Sequence, residues 1–158
     1  MTAIKDMTAT ERQSWLTLLA DGAVLIWFWQ KMTVGLSPVP IDYDINTFGD
    51  IIIGLVIMTV VLHVIIAVVF EMVGNTPERG KDERDIAIER LGAYWGYRLF
   101  QIGVGVITVG ILMSAGFGET LPLKWQFGTP VQIIFALAII SYVADLTRHG
   151  VMVFHYGR

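Results

Sequence analysis

Four apolar runs, residues 15–36, 51–73, 99–117 and 130–146, constrain this chain more than anything else in it. Each approaches or meets the roughly 20 residues that a helix needs to cross the hydrocarbon of a bilayer. Backbone amides and carbonyls find no water there, so a crossing segment has to satisfy them internally, and no alternating pattern of barrel strands is present. The expectation is an all-α polytopic membrane protein: one membrane domain over residues 1–158, with four transmembrane helices paired as two hairpins. Their bounds are placed at about 15–36, 51–73, 82–117 (including a cytoplasmic extension) and 129–149. With 54% hydrophobic and 16% charged residues, the chain is too apolar for a single soluble core.

Orientation follows the placement of Lys and Arg rather than the net charge. Four crossings put Lys5, Arg12, Arg79, Lys81, Arg84, Arg90, Arg98, Arg148 and Arg158 on one side, and Lys31 and Lys124 on the other. Both termini are therefore expected in the cytoplasm, with the chain a multi-pass protein of a bacterial inner (plasma) membrane. The amino-terminal segment is expected to be retained, because Asp6 and Glu11 sit where a signal peptide carries basic residues. Thr10 and Gln13 have the spacing of a capping box opening the first helix.

Residues 75–98 hold five of the eleven basic residues and five of the fourteen acids. That is more than a hairpin connection of two to eight residues needs. Asp82, Glu83, Arg84, Asp85, Glu89 and Arg90 are expected to form a helical, solvent-facing docking surface, with Tyr94, Trp95 and Tyr97 at the membrane interface. The run Asp82, Glu83, Arg84, Ile88 and Glu89, with the glycine and aromatics after it, resembles the D-E-R-x-x-x-I segment of a loose group of small, uncharacterised bacterial inner-membrane proteins with paired helical hairpins. The resemblance covers about twenty residues. It implies four membrane helices without assigned catalysis, some relatives acting beside transcriptional regulators or as accessory membrane subunits.

Helix three carries Gly92, Gly96, Gly103 and Gly110. Small residues let backbones approach closely in lipid, so the pattern predicts a packing seam, against helix two or across a dimer.

Ionisable residues inside a membrane are costly and point to function. Asp21, His63, Glu71, Arg98, Asp145, Arg148 and His149 form the candidate polar cluster, readable as ion pairs that lock the helices or as a cation or proton entry site. No cofactor and no metal site are expected. There is no cysteine. His63 has no second histidine at matching depth for haem, because His149 and His155 are placed at or beyond the cytoplasmic boundary. The acidic loop with Asp42, Asp44, Asn46 and Asp50 fails as a calcium loop, with Thr47 at the glycine position and Ile53 at the glutamate position. No phosphate loop, nucleophile elbow or HExxH pair occurs, so no catalytic residue is assigned.

The leading expectation is an accessory or signalling protein whose charged segment docks a partner protein. The alternative is a homo-oligomeric proton- or cation-coupled transporter or channel using the buried acids. Expected partners are the lipid bilayer and another protein or a second copy, with no nucleic acid.

Overall fold

A computed structural model describes residues 7, 9–73, 82–117 and 127–157, and at 9, 71–73 and 117 the backbone only. It contains four helices and, among the described residues, no strand: α1 (Ala9–Met32), α2 (Ile45–Val73), α3 (Glu83–Phe117) and α4 (Pro130–Tyr156). Three of them, α2, α3 and α4, are long and apolar enough to cross a membrane. Little of their apolar surface is covered within the chain: Val56, Val60, Val64 and Val68 of α2 and Ile102, Val106 and Val109 of α3 are all exposed. Ridges of this kind are untenable in water and suit lipid. This is a membrane protein.

The inward stripe of α1 explains why that helix is less apolar than the others. Glu11, Ser14, Thr17 and Asp21 are only 6%, 2%, 5% and 1% exposed, and Val24, Phe28 and Met32 continue the stripe. Steps of three and four keep all seven on one face. Half of that face is polar and half apolar.

α1 packs on α2 and on α4, and α4 packs in turn on α3. The apolar half of α1 meets Phe48 and Leu55 of α2 and Val131 and Phe135 of α4 in one core. Phe28 and Trp29 tilt against Phe135, with ring centroids 5.7 and 5.8 Å apart.

The first hairpin is tied at its turn. The Ile41 amide donates to Met32 O at 2.7 Å, Trp29 Nε1 donates to Gly35 O at 3.0 Å, and the Tyr43 hydroxyl donates to Lys31 O at 2.7 Å. Gly35 has φ +64°, a left-handed conformation that suits a residue without a Cβ.

The glycine seam of α3 faces α4 rather than α2. A Cβ on Gly96 would fall 2.9 Å from Ala144 O, and one on Gly92 would fall 2.7 Å from Arg148 O and from Met152 Cγ. On Gly103 it would lie 1.9 Å from Ile140 Cγ1, and on Gly110 2.4 Å from Phe127 Cδ2.

Several boundaries differ from the sequence expectation. α1 ends at Met32, not 36, because the chain reverses through Gly35. Thr10 lies inside α1, where its carbonyl accepts from the Ser14 hydroxyl at 2.9 Å, so it is not the cap. α2 begins at Ile45, not 51: Asp44 caps it, its Oδ1 accepting from the amides of Asn46 and Thr47 at 3.0 and 3.1 Å. The capping box belongs to α4, formed by Thr129 and Gln132 with Pro130 in the first turn. α4 continues to Tyr156 rather than 149, because Met152 is buried beneath Gly92. Lys5, Arg79, Lys81, Lys124 and Arg158, used above to count charges, lie outside the described residues.

Candidate functional site

Asp21 closes the polar half of the α1 stripe, and its Oδ1 stands 3.5 Å from Nε2 of His63 on α2. The other imidazole nitrogen fixes the chemistry of this contact. His63 Nδ1 is 2.9 Å from Thr59 O, and a carbonyl only accepts, so Nδ1 carries a hydrogen and donates it. In the neutral ring Nε2 is then a lone pair aimed at a carboxylate. The contact becomes attractive only when a proton or another cation sits at that junction. His63 is thus not solitary, as its sequence neighbourhood implies.

α4 brings the second half. Asp145 and His149, one turn apart, place Oδ1 and Nε2 3.9 Å from each other. One donor atom from each of Asp21, Asp145 and His149 lies within 4.8 Å of the other two. Asp21 Oδ2 and His149 Nδ1 are buried without a hydrogen-bond partner. Two carboxylates this close repel one another, and a cation between them relieves that repulsion.

A cavity of about 630 Å³ opens between α2 and α4 above this cluster. Its polar lining is Asp21, Thr59, His63, Ser141, Tyr142 and Asp145, and the rest is aliphatic. The Thr59 hydroxyl donates to Leu55 O at 2.8 Å, so it accepts from the Tyr142 hydroxyl, and this bond joins α2 to α4 across the cavity. Asp145 also lines a second cavity of about 310 Å³ on the α3 side, with Arg148, Gly96 and Tyr97. A single carboxylate therefore borders both spaces.

The remaining expected residues divide. Arg98 is exposed and stands apart, its guanidinium 5.3 Å from the centroid of the Tyr94 ring. Arg148 lies beside the cluster with an exposed side chain. Glu71 is in α2, but its side chain lies outside the described residues.

In the charged segment, Asp82, Glu83, Arg84 and Arg90 are exposed, whereas Asp85 and Glu89 are half-buried rather than solvent-facing. Arg84 Nη2 donates to His155 O at 3.3 Å, fastening the start of α3 to the end of α4.

Sequence reasoning passed over Thr59 and Tyr142, and also Glu11, Ser14 and Thr17. For the last three a signal existed: with Asp21 they are polar residues at helical spacing. Tyr142 likewise precedes Asp145 by three and His149 by seven, which places all three on one face of α4. Comparison with protein-family models, with curated proteins and with solved structures finds no match for this chain.

Proposed function

We propose that this protein is a small proton- or cation-coupled transporter of the bacterial inner membrane that loads its ion at the cluster of Asp21, His63, Asp145 and His149. The observation that carries the reading is the Asp21–His63 contact, in which the Nδ1 bond to Thr59 O leaves Nε2 facing a carboxylate. With Asp21 buried and the His63 ring 40% exposed, a contact of that kind calls for a positive charge, and intramembrane carboxylates and histidines commonly mark ion or proton pathways.

In this reading α1 is the fourth crossing helix and both termini are cytoplasmic, on the strength of nine basic residues against two. The polar stripe from Glu11 to Asp21 then offers a cytoplasmic approach of about 15 Å along the helix. Val24, Phe28 and Met32, packed on Phe135, fill the other half of the α1 face beside the cavity between α2 and α4. The apolar surfaces left on α2 and α3 are available to lipid and to further copies in a homo-oligomer.

The test is ion movement in sealed vesicles containing the purified protein and a pH-sensitive dye, with and without added divalent cations. Wild-type protein is expected to dissipate or create a pH difference, and Asp21→Asn to lose this while eluting normally on size exclusion. Equal flux from the two proteins would refute the reading.

A second reading keeps the charged segment as a docking site for a partner protein, favoured by the exposure of Asp82, Glu83, Arg84 and Arg90 on a helix continuous with α3. It draws also on the resemblance of this segment to that of other small membrane proteins. Charge reversal at Glu83, Arg84 and Arg90 that left capture of the partner and the cellular phenotype intact, at normal protein level, would remove it.

A further inference from the structure

We infer that Asp21, Asp145 and His149, with His63 as a fourth donor, bind one divalent transition-metal cation. This rests on the ion-site reading above and names the occupant.

Charge gives the first reason. Two carboxylates and a single divalent cation sum to zero with both imidazoles neutral, whereas protons reach neutrality only when two are bound at once. Net charge in the apolar part of a membrane is costly. Neutrality favours the metal.

The donor set gives the second. Carboxylate oxygens mixed with imidazole nitrogens, without thiolates, suit zinc, manganese, iron or cobalt. Calcium and magnesium favour oxygen ligands throughout.

Geometry gives the third. Donors each about 2.1 Å from a tetrahedral centre lie roughly 3.4 Å from one another. His63 Nε2 is 3.5 Å from Asp21 Oδ1, His149 Nε2 is 3.9 Å from Asp145 Oδ1, and the Asp21, Asp145 and His149 donors all fall within 4.8 Å. For Asp21, Asp145 and His149, closing the donor separations by up to about 1.4 Å forms the shell, and His63 stands against its Asp21 side.

Two further observations are independent of the clustering. Asp21 is 1% exposed, and its Oδ2 has no hydrogen-bond partner, so a buried oxygen is left for a ligand to satisfy. His63 meanwhile gives its Nδ1 hydrogen to a backbone carbonyl, the arrangement that orients most metal-bound histidines and directs the other nitrogen at the ion.

The experiment uses the full chain, purified in detergent and stripped with chelator, then titrated with Zn²⁺, Mn²⁺ or Co²⁺ alone. Metal retained after desalting is measured by mass spectrometry. One equivalent per chain is expected. Asp21→Asn, Asp145→Asn and His149→Gln should each weaken binding at least 100-fold, and His63→Gln roughly 10- to 100-fold, while Arg98→Gln, outside the cluster, should leave it unchanged.

Because a variant that misfolds also loses metal, wild-type protein supplies a separate reading. X-ray absorption of the zinc-loaded chain is expected to show nitrogen and oxygen donors with imidazole scattering. No retained metal in the wild type, a shell without imidazole, or binding that survives all three ligand variants would each overturn the proposal. Absent metal binding combined with proton movement that Asp21→Asn abolishes would overturn the metal alone and leave the ion-site reading standing.

Discussion

Replacing Gly103 by alanine isolates the close approach of α3 to α4. The new Cβ would sit 1.9 Å from Ile140 Cγ1, 2.2 Å from Cδ1 and 3.2 Å from Cβ. Ordinary contact begins near 3.4 Å. Rotating Ile140 about χ1 relieves little, because its own Cβ is already tight and a β-branched residue in a helix has one strongly preferred rotamer. Either α3 moves away from α4 or Ile140 leaves its rotamer, an overpacking cost of about 1–3 kcal/mol.

Against this, exchanging glycine for alanine inside a helix gains about 0.5–1 kcal/mol. Gly105→Ala provides the reference, since nothing lies within 4 Å of a Cβ built there. Both variants carry the same helix-propensity gain, so the difference between them isolates the steric cost. We expect Gly105→Ala to be stabilised and Gly103→Ala to fall below it by about 1–3 kcal/mol.

Reversible unfolding by dodecyl sulfate in mixed micelles, followed by far-ultraviolet circular dichroism, reads both. Adding Ile140→Ala to Gly103→Ala should restore part of the loss, giving a favourable coupling of about 1–2 kcal/mol. Equal stability of Gly103→Ala and Gly105→Ala would show that α4 does not lie against Gly103.

Tyr142→Phe removes the donor to Thr59 and should cost about 0.6–1.7 kcal/mol, the range found for hydrogen bonds between membrane helices, in the same unfolding assay; an unchanged midpoint would place the hydroxyls apart. Asp44→Ala should destabilise the start of α2. Donation from the Thr47 hydroxyl and amide and the Asn46 amide holds the Asp44 carboxyl below its ordinary value of 3.8. The stabilisation is therefore fully present above that value and is lost as pH falls through the lower, folded one, so the gap between wild type and Asp44→Ala should close on acidification. A gap that widened with acid would contradict the cap. Reporter fusions after Lys81 and after Arg158 should both report the cytoplasm; activity of an exported reporter at either point would reverse the topology.

The helices were legible because hydropathy is a local property and lipid demands little else. Their ends were not, because a different interaction fixes each one. Met32 is the end of α1 owing to a reversal through Gly35, α2 starts at the carboxylate of Asp44, and α4 is prolonged by the burial of Met152 under Gly92.

These shifts matter for the site. Ending helix four at residue 149 puts His149 at the membrane edge, whereas the observed helix continues to Tyr156 and seats His149 beside Asp145 and Asp21. Asp21 and Asp145 were visible as costly charges in apolar runs. Their meeting was not, since nothing in the spacing of either helix states which helix it will face. The partner of the glycine seam escaped for the same reason: the pattern marks a close approach without saying to what.

The tied turn between α1 and α2 bears on how the site is assembled. Three hydrogen bonds hold the chain reversal between α1 and α2, and the glycine contacts with the Arg84–His155 bond hold α3 to α4. Asp21 and His63 belong to the first hairpin, and Asp145 and His149 to the second. An ion bound there as inferred above would be a further cross-link between the two hairpins, beside the Thr59–Tyr142 bond and the Phe28–Phe135 contact.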